Sequence, residues 1–208
     1  MKEFSLFLIP LIICNLKYHF TPMNNLFEKE IIALADLDLS VREKLLVAGE
    51  LSGGYHPEME KVHKANAKRL REMINEIGFP TLSKVGEKAS DAAWLIIQHS
   101  IGEPEFMKEC LRMVDEHIHD VNLKNRAYLY DRIQVFQGQP QKYGTQLIEG
   151  GIPYPVKYRE NLNELRKTVN LPLLSPEEIN RIPGLEDIPE LESKDEDYTA
   201  WRKKVGWL

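Results

Sequence analysis

The residues best suited to chemistry cluster in three short stretches, and His99 is the first of them. An imidazole changes charge near neutrality, so a histidine with a fixed partner can act as a general acid or base or hold a metal. His99 ends a segment, residues 89–100, that is otherwise mostly apolar: Ala92, Ala93, Trp94, Leu95, Ile96 and Ile97 lead into the pair Gln98 and His99. Such a segment belongs in a core, and an unpartnered polar group there costs about 1–3 kcal/mol. Something must therefore meet Gln98 and His99.

The second stretch is Asp131 and Arg132, which interrupt the run Tyr128, Leu129, Tyr130 and Ile133. Asp131 is a candidate to orient His99, and Arg132 a candidate to hold an anion. Neighbouring helix residues point about 100° apart, so the two do not face one partner. The third stretch is an amide-rich loop, with Gln137, Gln139, Gln141 and Gln146 beside Tyr143, Gly144 and Thr145. It is suited to line a pocket for a polar ligand. Each assignment has a structural alternative. His99 could be a core histidine bonded to a backbone carbonyl, Asp131 and Arg132 could tie their helix to the loop at 141–146, and the loop amides could cap helix ends.

Other patterns carry less. His117 and His119 are two apart, which places them on different helix faces and makes a poor metal pair. Asp36, Asp38 and Glu28 read as a solvated face. The chain has no HExxH, CxxC, P-loop, GxSxG or dinucleotide fingerprint, so no metal site is assigned and the cofactor is left unknown. Cys110 reads as a small buried hydrophobe, and Cys14 is too far from any shared element to suggest a structural disulfide.

The elements that must position these residues follow from apolar spacing. Residues 26–51 carry Leu26, Ile31, Leu34, Leu37, Val41, Leu45 and Leu46 at helical intervals, and Ser52-Gly53-Gly54 ends the run. Residues 57–77 form a second helix, stopped by Gly78-Phe79-Pro80. A loop at 81–86 precedes the apolar helix 89–100. Residues 104–121 and 123–136 make a fourth and a fifth helix. Gly150-Gly151 between short apolar runs predicts a hairpin within 147–156, and 158–169 a last full helix. The expected fold is mainly α: a bundle of about five to six helices with a short β-hairpin or irregular loop region near 138–156. The helical domain covers 24–172, and 173–208 is a Pro-rich acidic tail that wraps the surface or is mobile.

The 208 residues suit one domain, with 43% hydrophobic and 28% charged residues and a net charge of −5. No basic face appears, so nucleic acid is not an expected partner. Residues 4–13, FSLFLIPLII, are too few to span a bilayer but match the apolar part of an export signal. Residues 1–22 thus read as a signal peptide, a lipoprotein leader ending near Cys14, or an upstream mis-start before Met23. Export is expected ahead of a cytoplasmic location, with membrane attachment only through the N-terminus.

The order of motifs resembles a bacterial family of uncharacterised proteins: Asp38-x-x-x-Arg42, Asn66, GFPTLSKVG at 78–86, AAWLIIQHS at 92–100, AYLYDRI at 127–133 and GQPQKYGTQ at 138–146. The resemblance runs from about residue 26 to residue 171. It implies a signature of Trp94, Gln98, His99, Asp131, Arg132, Gln141, Tyr143, Gly144, Thr145 and Gln146. It supplies no activity. His63 stands where relatives are expected to carry an acidic residue, which puts a role for the second helix in doubt.

Two functional readings follow. One is a small hydrolase-type or other acid/base enzyme. His99 and Asp131 would be catalytic, and Trp94, Gln98, Arg132, Gln141, Tyr143, Thr145 and Gln146 would bind a small polar ligand. The other is a non-catalytic binding or interaction domain with a protein partner, in which the same polar residues form a structural hydrogen-bond network.

Overall fold

The computed structural model describes residues 23–51 and 54–208. The readings of residues 1–22 as a leader and of Ser52-Gly53 as a helix breaker lie outside the described residues. The described chain is mainly helical, as expected, but with more and shorter helices. Nine α-helices, two 3-10 turns and one two-stranded sheet are described.

The long helices come first. They are α1 (Met23–Val47), α2 (Pro57–Ile77), α3 (Leu82–His99), α4 (Pro104–Glu116) and α5 (Leu123–Phe136). The spacing of apolar residues placed α2 and α5 at these bounds. In α3 the helix begins earlier than expected, because Leu82–Val85 form a helical turn of their own. Gly86, at φ +78°, lets the chain break direction there before the main helix continues. The start of this helix is capped from elsewhere: the Asp120 carboxylate accepts hydrogen bonds from Ser83 N (2.9 Å) and Ser83 Oγ (2.5 Å). Pro57 and Pro104 open α2 and α4 where their missing N–H groups cost nothing.

Helix α1 lies mainly against α3 and secondarily against α2. The face it buries differs from the expected one. Leu26, Leu37 and Leu46 are exposed, while Phe27, Ile31, Ala35, Asp38 and Leu45 are buried. Of the expected stripe, Ile31 and Leu45 are buried and Leu34 packs against the core, so the true face is rotated from it only in part. Asn66 locks this packing, since its side-chain amide donates to Leu34 O at 3.0 Å across the α1–α2 contact. The main core joins Ile31, Leu70, Met73, Ile96, Ile97, Phe106, Met107, Cys110 and Leu129. Full burial of side chains of this size stabilises by roughly 1.5–3 kcal/mol each.

The expected hairpin is present as β1 (Leu147–Ile148) and β2 (Ile152–Pro153), antiparallel and joined by the 3-10 turn Glu149–Gly151. Helix α6 (Leu162–Thr168) is shorter than the helix expected at 158–169.

The end of the chain departs most from expectation. The acidic stretch carries α7 (Pro176–Arg181), a 3-10 turn, α8 (Ile188–Ser193) and α9 (Glu196–Val205). Trp207 is buried in the main core, with its indole donating to Ile101 O at 2.8 Å and stacking on Phe136. Arg202 is fully buried, paired with Glu192 at 2.5 Å and bonded to Phe136 O at 3.3 Å. Composition made this stretch look like a tail, but Trp207 and Arg202 dock it. No helix among the described residues is long and apolar enough to cross a membrane.

Candidate functional site

Three helices each deliver one ionisable side chain to a single point. Asp38 comes from α1, His63 from α2 and His99 from the last residue of α3. Asp38 Oδ2 lies 3.0 Å from His99 Nδ1 and 3.3 Å from His63 Nε2. One nitrogen or oxygen from each residue falls within 4.8 Å of the others, close enough for one metal ion to touch all three. The far side of His63 is held by Tyr55, whose hydroxyl meets Nδ1 at 2.7 Å while its ring stacks on the imidazole.

Asp38 is 1% exposed, and its Oδ1 has no partner. Burial pushes the Asp38 carboxyl up, but the two imidazoles beside it outweigh burial and hold it at about 2. The group is thus a buried carboxylate, stabilised by histidines rather than by arginine or lysine.

Above the cluster lies a cavity of about 310 Å³, bordered by Arg42, Tyr55, His56, His63, His99 and Arg132. A second cavity of about 790 Å³ adjoins it and shares Gly54, Tyr55, Ile101 and Arg132. Its walls include Gln146 from the amide loop, Asp197, Tyr198, Trp201 and Lys204 from α9, and the carboxylates of Glu60 and Asp195. Arg132 stands between the two spaces. Its Nε donates to Gln146 Oε1 and its Nη1 to Gln98 O, both at 3.2 Å. Burial pushes its pKa down, and it pairs with no carboxylate among the described residues. A guanidinium keeps its charge even so, which leaves a partly desolvated cation facing open space.

The structure separates the expected site residues into two groups. His99, Arg132 and Gln146 border the cavities. Asp131, Gln141, Tyr143 and Thr145 form a buried frame beneath the amide loop. The Asp131 carboxylate accepts from Lys142 N at 2.8 Å, Tyr143 N at 3.1 Å, Thr145 N at 3.1 Å and Thr145 Oγ1 at 3.0 Å. It is spent on folding the loop, and the carboxylate that meets His99 is Asp38 instead. Burial pushes the Asp131 carboxyl up, and those donors oppose the rise. Gln141 is also fully buried. Its amide donates to Gln146 O (2.9 Å) and Tyr154 O (2.7 Å) and accepts from Gln146 N (2.9 Å).

Gly144, at φ +68°, turns the loop so that Tyr143 O and Gly144 O both accept from Arg166. Tyr143 is buried, and its hydroxyl accepts from Arg126. Gln98 is buried with Oε1 unpartnered and reaches the site only through its backbone carbonyl. Trp94 borders a different, small void beside Ser90, Asn125 and Leu129.

Sequence reasoning missed Asp38, His63 and Tyr55. In sequence Asp38 reads as part of a solvated face, although it opens the first motif of the resemblance, and His63 puts a role for α2 in doubt. A signal was present for both. Asp38 follows Phe27, Ile31 and Ala35 along the buried face, and His63 sits between Met59 and Ala67 on the buried face of α2. An ionisable residue at a core position of a helix demands a partner, whatever surrounds it in sequence.

The fold and site together define a class: a helical domain with a largely buried His–Asp–His cluster under a cavity bordered by Arg42 and Arg132. The chain belongs to the family of unknown function DUF6624, which matches residues 25–194. The match extends beyond residue 171, where the motif resemblance ended, and takes in α7 and α8. No curated protein and no solved structure matches the chain.

Proposed function

We propose that this protein is a small hydrolase-type enzyme, with its proton-transfer centre at His99 and a binding place for an anionic small molecule at Arg132. The observation that carries the reading is the pairing of His99 with the buried Asp38 carboxylate next to a cavity that also holds an unpaired arginine. A carboxylate on one ring nitrogen fixes the orientation of the imidazole and stabilises its protonated form, as general acid/base work requires. Arg132 supplies a fork of donors for a carboxylate or phosphate on the ligand, or for charge that develops during reaction. Arg42 at the other side of the smaller cavity adds to the positive field.

A second reading, a non-catalytic binding domain, draws on one observation. Four of the expected signature residues are committed to the loop frame, and a frame needs no reaction to explain it. Both readings place the ligand in the same cavity.

A turnover screen separates them. The purified protein is offered phosphate monoesters, carboxylic esters and amides that each bear a carboxylate or phosphate, beside a His99→Gln variant. Hydrolysis of one class, reduced about 10²–10⁴-fold in the variant, supports the enzyme. Ligand binding that is lost in Arg132→Met, with no turnover of any class, replaces it with the binding domain.

A further inference from the structure

We propose that Asp38, His63 and His99 form a binding site for one divalent first-row transition ion of the zinc type. This goes beyond the hydrolase reading, and it places the ion in the same pocket.

The first argument concerns protons. The Tyr55 hydroxyl meets His63 Nδ1 at 2.7 Å. When Nδ1 carries the proton and donates it to Tyr55, Nε2 of the neutral ring bears a lone pair. That nitrogen faces Asp38 Oδ2 at 3.3 Å, and it makes no well-directed hydrogen bond. In that tautomer two lone pairs face each other and repel unless a cation lies between them; in the other, a proton on Nε2 fills the gap and the metal ion displaces it. A metal ion satisfies both lone pairs.

The second argument concerns the carboxylate. Asp38 Oδ1 is buried without any partner, while Oδ2 is approached from two sides by imidazole nitrogens. A buried anion with a free oxygen is costly in a low-dielectric interior. A cation at the cluster offers that charge compensation without any further side chain.

The donor set has its own chemistry. Two imidazole nitrogens and one carboxylate oxygen suit zinc and its first-row neighbours, and are a poor cage for calcium or magnesium, which prefer oxygen. Three protein ligands leave a coordination place open, and catalytic zinc sites have this form. The adjoining cavity of about 310 Å³ has room for water or ligand at that place. Tyr55 has the position of an outer partner that orients a liganding histidine. Water on such an ion loses a proton near neutrality, so the ion would supply the nucleophile for the hydrolysis proposed above, with His99 and Asp38 then acting as ligands in place of the proton-transfer pair.

The test is zinc titration of the full chain, stripped with chelator and dialysed, followed by calorimetry. Cobalt(II) absorption reports on the ligands. The expected result is one zinc per chain. Affinity falls about 10–100-fold in Tyr55→Phe, as for other outer partners. It falls further in His63→Gln and His99→Gln. Should either histidine variant fail to fold, the cobalt spectrum of the parent decides. Intense visible bands of a four- or five-coordinate ion support the site, and the pale spectrum of hydrated cobalt overturns it. No stoichiometric zinc uptake, or uptake unaffected by the histidine variants, also overturns it. That outcome leaves the His99 proton-transfer reading standing. A bound zinc in a protein that turns over nothing sinks the hydrolase reading and leaves the metal site.

Discussion

Asp38 Oδ2 and His99 Nδ1, 61 positions apart in the chain, meet at 3.0 Å where α1 crosses the end of α3. The contact places a carboxylate that is 1% exposed directly on the histidine at the cavity edge. It ties the packing of the first helix to the chemistry of the site.

Replacing Asp38 therefore has two consequences. In Asp38→Ala His99 loses its hydrogen-bond partner, His63 loses the carboxylate 3.3 Å from its Nε2, and a void opens in the core. The expected loss is about 2–4 kcal/mol of folding stability, measured by urea unfolding. Asp38→Asn keeps the volume and loses less. A parent-like unfolding midpoint in Asp38→Ala contradicts a partnered, buried carboxylate.

Asp131 behaves differently, because its carboxylate accepts only from the loop at 142–145. In Asp131→Asn an NH2 group faces backbone N–H donors. Stability falls by about 3 kcal/mol, and hydrogen exchange accelerates from 141 to 146. His99 keeps its Asp38 contact in this variant, so ligand affinity per folded molecule stays near the parent's. Selective loss of binding without loss of stability would return Asp131 to the catalytic role first expected of it.

Arg202 makes the same kind of commitment at the other end of the chain. It is buried against Tyr198, Glu192 and the last carbonyls of α5. Arg202→Ala leaves Glu192 with the Tyr154 hydroxyl as its remaining partner and frees those carbonyls, at a cost of about 2–4 kcal/mol by denaturant melt. Exchange protection is lost first in α9, which forms one wall of the larger cavity. Unchanged protection of α9 in the variant contradicts this anchoring.

A further ion pair gives a pH signature. Arg69 grips Glu30 through Nε at 2.6 Å and Nη2 at 3.0 Å, and joins α2 to α1. That hydrogen bonding holds the Glu30 carboxyl below its ordinary value. A depressed folded pKa means that the stabilisation is fully present above the unfolded value, about 4.3, and is lost as pH falls through the lower folded one. Glu30→Gln is expected to lose up to about 1 kcal/mol at pH 7. The gap between variant and parent closes as the pH drops below about 4. A gap that widens there reverses the sign of the argument.

Much of the helical framework was legible from local pattern alone. Apolar spacing with the flanking Pro57 and Gly78 placed α2, and the reading of 123–136 as a helix placed α5, because cap and stripe act within a few residues of one another. The depth of the 89–100 segment was legible as well, since a helix with almost no polar face has nowhere else to go. The division of the signature residues between scaffold and cavity was not legible.

What the tertiary structure decided was partnership. Which carboxylate meets His99 depends on how α1 rotates about its axis, and the leucines of α1 were a poor guide to that rotation because several of them face outward. Asp38 and Asp131 have the same chemistry in a linear reading. Only the packing of three helices gives the one a pair of imidazoles and the other a ring of backbone amides. The C-terminal stretch follows the same rule: its proline and acidic content describe a solvated tail, but Trp207 and Arg202 gain more from a core made by distant residues than its composition can register. Local propensity acts over a turn or two of chain, and a site assembled from residues 38, 63, 99 and 132 is determined by contacts that exist only once the helices have packed.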